Sequence, residues 1–146
     1  MNSQLIHEQH GEKTFVVVFA KGDEVVAGLQ QFAEEQQITA AYFTAVGAFR
    51  DVVLGYFERE RKDYKRIPLR EQVEVLSLVG NIALADDKPK LHAHEVIGKA
   101  DGSAHGGHLL EAHVWPTLEV VMVESPQHLR RTYGVETGLA LLTLSS

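Results

Sequence analysis

Three histidines set close together carry most of the chemical information in this chain. The stretch reads Leu91-His92-Ala93-His94-Glu95, then Asp101-Gly102, then Gly106-Gly107-His108-Leu109. Histidine is the commonest side-chain ligand for zinc and related ions, because a neutral imidazole offers a lone pair from one ring nitrogen. Side chains alternate along a strand, so His92 and His94 share a face, about 6.5–7 Å apart along the chain. Zinc–nitrogen bonds of about 2.0–2.1 Å allow two such rings to lean onto one ion. The third ligand must come from a hairpin partner, and His108 begins the next expected strand. Three imidazoles without a thiolate leave one coordination position open. That pattern belongs to catalytic or ligand-binding ions more than to closed structural ones. Two histidines compete for the third place. His105 falls in the expected loop, and His113 lies an odd number of residues from His108, on the other face of a regular strand. The bland alternative is a set of packing or surface histidines holding no ion, and spacing alone does not decide between the two. His7, His10 and His128 are isolated and read as structural or solvent-exposed.

Positioning those rings requires a hairpin, and the turn residues predict strands over 90–97 and 108–115 around a loop at 100–107. Upstream, 4–8 reads as a short strand, His10-Gly11-Glu12 as a turn, and the β-branched and aromatic run 14–19 as a second strand. Lys21-Gly22-Asp23 ends it, with Asp23 the expected helix N-cap. Val25, Val26, Leu29, Phe32 and Ala33 recur at helical spacing and predict a helix to about Gln36. Further strands are expected over 39–49, 52–57, 72–84 (long and buried), 118–124 and 139–144. An edge strand over 63–69 is interrupted by Pro68. Asp86-Asp87-Lys88-Pro89 reads as a turn and Pro116 as a strand break. One early helix and many strands predict an α+β fold, a single domain over 1–146 with a mostly antiparallel sheet.

Composition narrows the function classes. The chain has 146 residues, 45% hydrophobic and 23% charged, as expected for a globular domain with a proper core. No apolar run approaches the roughly 20 residues of a membrane span. Met1-Asn2-Ser3-Gln4 lacks the basic start and apolar core of a signal peptide. The absence of cysteine excludes disulfides, thiolate zinc sites and cysteine nucleophiles, and fits a cytoplasmic location. A net charge of −6 argues against general nucleic-acid binding. One stretch runs the other way. Arg59, Arg61, Lys62, Lys65, Arg66 and Arg70 interleave with Tyr56, Phe57 and Tyr64, the mixture a DNA-binding surface needs. Glu58, Glu60, Asp63 and Glu71 dilute it, and a solvated edge hairpin reads equally well. A third class, a metal-dependent hydrolase or lyase, would need a base beside metal-activated water. Glu95 and Glu111 are the nearest candidates, although Glu95 should face away from His94. Cupins also carry His-x-His on a strand, but their last histidine follows much later, after a Pro-x-Gly turn that is missing here.

At these residues the chain resembles the PPC (plants-and-prokaryotes-conserved) domain family. The strongest block joins Leu91-His92-Ala93-His94, Gly106-Gly107-His108-Leu109-Leu110-Glu111 and Val114-Trp115-Pro116-Thr117-Leu118-Glu119-Val120. Supporting pieces are Ile38-Thr39-Ala40-Ala41-Tyr42-Phe43, Ala45-Val46-Gly47-Ala48 and the stretch from Glu74 to Ile82. The resemblance implies a fold built on an antiparallel sheet, assembly as a homotrimer, and a divalent metal ion, zinc first, on His92, His94 and His108. It also implies a DNA-binding label, a partner of unidentified chemistry (small ligand or protein) and no membrane. The Arg-Gly-Arg core of an AT-hook is absent, and Arg70-Glu71-Gln72-Val73-Glu74-Val75-Leu76 replaces the plant-type Gly-Arg-Phe-Glu-Ile-Leu motif. The prokaryotic branch is therefore the closer comparison.

Overall fold

Two long strands organise the sheet. In the computed structural model, which describes residues 1–144, β3 spans Ala40–Glu58 and β7 spans Ala104–Glu124, and they pair antiparallel along most of their length. Around them lie β1 (Asn2–Gln9), β2 (Glu12–Ala20), α1 (Val25–Glu35), β4 (Asp63–Leu69), β5 (Val73–Ala85), β6 (Lys88–Gly98), β8 (Arg130–Gly134) and β9 (Leu139–Thr143). The fold is mostly strand with one short helix, and the sheet is antiparallel except for a single parallel bridge between β5 and β8. β3 pairs β5, β5 pairs β6, β6 pairs β7, and β7 returns to β3, so these four strands close a ring. Among the described residues, no helix is long and apolar enough to cross a membrane.

The expected breaks in β3 and β7 are bridged. Residues 39–49 and 52–57 form one strand because bulges take up the bends, the sharpest beginning at Gly47. Gly47 has φ 153°, and a Cβ there would run into the Thr117 backbone, so β3 and β7 touch at a point only glycine permits. Pro116 does not end a strand. It lies within the register shift between Val114 and Leu118, where β3 offers Ala48 against three residues of β7. A residue without an N–H is tolerated where the ladder is already interrupted. The edge strand at 63–69 forms, but Pro68 does not interrupt it: it pairs opposite Val53 in an unbroken register. At the next turn, Asp86 and Asp87 adopt positive φ (50° and 59°) as a two-residue hairpin loop, so Lys88 and Pro89 already belong to β6.

The helix starts one residue later than expected. Asp23 closes a turn on Ala20, accepting its N–H at 2.9 Å, and pairs with the Met1 ammonium at 2.7 Å. Glu24 is the N-cap, with its carboxylate accepting from the Ala27 N–H. Val25, Leu29, Phe32 and Ala33 turn inward, and Phe32 meets Phe15 edge-on with ring centroids 5.3 Å apart. Phe19, Phe49, Leu78, Ile82, Ile97, Leu118 and Met122 fill the rest of the core. β5 is buried on both faces at Ile82, Ala83 and Leu84, whereas nearer its start Leu76 and Val79 are 56% and 51% exposed.

Glu95 and Glu124 break the apolar pattern of the core, and Glu95 is the more deeply buried. Glu95 is 3% exposed, and neither carboxylate oxygen has a hydrogen-bond partner among the described residues. Burial pushes its pKa from 4.5 up to about 8. The native state therefore holds a proton that the unfolded chain releases near 4.5. Stability associated with this group is complete below that value, falls as the pH climbs towards about 8, and is flat above. Glu95→Val should raise the melting temperature, and the gain should be larger at pH 8 than at pH 5. Thermal melts of both proteins at the two pH values check this, and an unchanged melting temperature at pH 8 contradicts it.

Candidate metal centre

The hairpin of β6 and β7 sets the geometry of the site. Its loop is shorter than expected, covering Lys99 to Ser103. The Lys99 N–H donates to the Ser103 carbonyl at 2.9 Å, and the Gly102 N–H donates to the Lys99 carbonyl at 2.9 Å. Asp101 locks the turn by accepting from both the N–H (2.9 Å) and the hydroxyl (2.6 Å) of Ser103. Gly102 at φ 81° supplies the left-handed position. The resulting register places His94 directly opposite His108. His105 is not in the loop: it pairs with Ile97 within β7 and is exposed. His113 is held apart by Asp51, with Nδ1 2.7 Å from the carboxylate.

His92, His94 and His108 come together, each offering a ring nitrogen, with all three atoms within 4.8 Å of one another. The Nε2 atoms of His92 and His94 are 3.1 Å apart. Two nitrogens on one tetrahedral zinc ion stand about 3.3 Å apart, given bonds of about 2.0–2.1 Å. The donor set therefore fits a divalent ion in number, spacing and chemistry. The His108 ring stacks between Tyr64 (centroids 4.5 Å) and His92 (5.2 Å). Its Nδ1 lies 3.4 Å from the Tyr64 hydroxyl, which leaves Nε2 as the nitrogen free for an ion.

Electrostatics favour the form of these rings that can ligate. Burial pushes the His108 pKa from 6.5 down to about 4, with the neighbouring His92, His94 and Lys90 acting in the same direction. Burial, then Arg131 and His94, also lower His92. Both rings are neutral near pH 7, with lone pairs available. The glycines before His108 allow the close approach. A Cβ on Gly107 would stand 2.8 Å from the Gly55 carbonyl oxygen, whereas one on Gly106 would stand 3.2 Å from the Glu95 carbonyl oxygen.

A cavity of about 440 Å³ opens beside His92 and His108. Tyr64, Arg131 and Tyr133 reach it, and leucines from β6, β7 and β9 wall it. Neither candidate base lies there. Glu95 points into the core, and Glu111 pairs with Arg66 at 3.0 Å. Arg131, Tyr133 and strand β8 gave no sequence signal, since Arg130-Arg131-Thr132-Tyr133-Gly134 is short and polar. The basic stretch lies at the β3–β4 hairpin and is largely answered by its neighbours. Arg61 pairs with Glu58 at 2.9 Å, and Lys62 donates to the Val135 carbonyl at 2.7 Å.

The fold and the cluster define a small closed-sheet protein with three converging imidazoles beside a cavity. The chain belongs to the Plants and Prokaryotes Conserved (PCC) domain family, whose pattern it matches over residues 6–126. A metal-containing protein from Archaeoglobus fulgidus is 34% identical over 99% of both chains, with a TM-score of 0.82. A plant- and prokaryote-conserved (PPC) protein from Pyrococcus horikoshii is 32% identical, covers 91% of this chain and 92% of its own, and gives a TM-score of 0.84. A candidate DNA-binding protein from Bacteroides thetaiotaomicron is 28% identical over 94% of both chains, with a TM-score of 0.85. No curated protein matches this chain.

Because Gly107 sits one residue from His108, Gly107→Ala should part β7 from β3 and move the ring. Zinc affinity and melting temperature should both fall, and by more than in Gly106→Ala. Titration with a competing chelator, alongside thermal melts, checks the order; equal behaviour of the two variants contradicts it.

Proposed function

We propose that this chain is a homotrimeric metal-binding protein holding one divalent ion per subunit, zinc first, through His92, His94 and His108. The convergence of three ring nitrogens carries the reading. His92 and His94 can share one N–H···N bond, but that leaves the third nitrogen unanswered, and an ion satisfies all three. Neutral imidazoles suit zinc, and nickel, copper and iron accept them too. When bound, the ion would supply an open position for a ligand or an activated water. The described residues lining the cavity include no Asp or Glu to act as base, so ligand binding with a regulatory role is favoured over hydrolase or lyase chemistry.

The number three comes from the family resemblance, and an exposed apolar face supports association between copies. Val121, Thr44, Val79 and His94 form one row across β7, β3, β5 and β6, and Val123, Tyr42, Asn81 and His92 form the next. Tyr42 is 65% exposed and Val46 58%, with Leu76, Val79, Val96 and Val121 also open. An apolar face of this kind marks an association surface, and two of the histidines lie on it. DNA binding, raised by the Bacteroides relative, finds less support because Arg59, Arg61 and Arg66 of the basic hairpin pair with carboxylates and the chain is acidic.

Mass spectrometry of freshly purified protein should find close to one metal ion per chain, and His92→Ala/His108→Ala should lose it. Protein that holds no metal and takes up none from zinc sulfate contradicts the reading. Light scattering on a sizing column should give three times the chain mass, and Val79→Lys should shift it to monomer; a monomeric parent protein contradicts the trimer.

A further inference from the structure

The charge of the cavity beside the histidines is opposite to that of the chain. The protein carries 20 acidic and 14 basic residues, yet no described carboxylate lines this cavity. Arg131 and Lys90 line it, and each acts electrostatically on a histidine of the cluster. Arg131 is also fixed in place. Asn81 is the cross-strand neighbour of His92, and its side-chain Oδ1 accepts a hydrogen bond from Arg131 Nη2. Arg131 Nη1 donates to the Ala140 carbonyl at 3.3 Å. The guanidinium has five N–H donors, and two are used this way. Nε is buried and bonds to nothing among the described residues.

A half-buried, oriented guanidinium whose buried Nε has no partner among the described residues calls for an anion, since unmet buried donors are costly. We propose that this cavity binds a small organic carboxylate, its head group held by Arg131 and its body by the leucine walls. The inference builds on the metal-centre reading, because an ion on the histidines would add to the same positive field. The planar guanidinium takes a carboxylate or a phosphate two bonds at a time, and two further observations select an organic carboxylate. The start of α1, the fold's one helical anion site, is filled by the Glu24 carboxylate. Leu91, Leu109, Leu139 and Leu141 make the remaining wall apolar, and about 440 Å³ suits a small molecule.

Calorimetry on the full chain, zinc-loaded and zinc-free, tests this with benzoate, phenylacetate and 4-methylpentanoate, their neutral amides, and inorganic phosphate. At least one carboxylate should bind the zinc-loaded protein, with its amide about tenfold weaker or worse and phosphate no better than the amide. Arg131→Gln should weaken binding about tenfold at unchanged zinc content. Arg131→Lys keeps the charge without the fork and should also bind more weakly, which decides the matter if the glutamine variant fails to fold. Amides binding as well as acids, phosphate binding alone, no binding by any of the three acids, or full binding by the folded Arg131 variants would each overturn the proposal. Zinc content is measured on every sample. Zinc held without carboxylate binding overturns this inference and leaves the metal centre standing. Arg131-dependent carboxylate binding without zinc uptake supports the inference and overturns the metal centre.

Discussion

The register between β6 and β7 is the constraint on which the rest depends. His94 faces His108 across the ladder, and His92 lies two residues further along the same face. A slip of one residue would send His108 to the opposite side of the sheet. The Lys99–Ser103 turn, tied by Asp101, fixes that register locally. Closure of the four-strand ring fixes it globally, because β7 cannot slide against β6 without also sliding against β3. The bulges at Gly47 and around Pro116 allow β3 and β7 to bend far enough to serve both ends of the molecule.

Charge and burial act together at the site. Partial burial keeps His92 and His108 neutral, and Arg131 and Lys90 reinforce that state. The same cations would repel a metal ion, so an ion bound here would need a compensating anion more than one at an isolated three-histidine site. Carboxylates, abundant elsewhere in the chain, are directed away. Glu95 is turned into the core, Glu111 is held by Arg66, and Asp51 is engaged by His113. What remains is a neutral ligand set with cations and apolar walls around it.

Much of this was legible in the sequence. The histidine spacing, the turn residues between the strands and the helical repeat from Val25 to Ala33 each follow from one local periodicity. The parts that were not legible depend on contacts distant in the chain. Residues 39–58 read as two strands because the bulges that join them are set by pairing with β7. Asp23 looks like a cap until Met1 and Ala20 claim it. Arg131 carries no local mark, and its place beside His92 exists only because Asn81, far away in sequence, receives its guanidinium.

The central claim is that three imidazoles of one chain surround one ion, and X-ray absorption at the zinc edge on the zinc-loaded protein tests it most directly. The account predicts about three imidazole nitrogens at about 2.0–2.1 Å with a lighter ligand completing the shell. A spectrum without imidazole scattering, or one matching hydrated zinc, would contradict it.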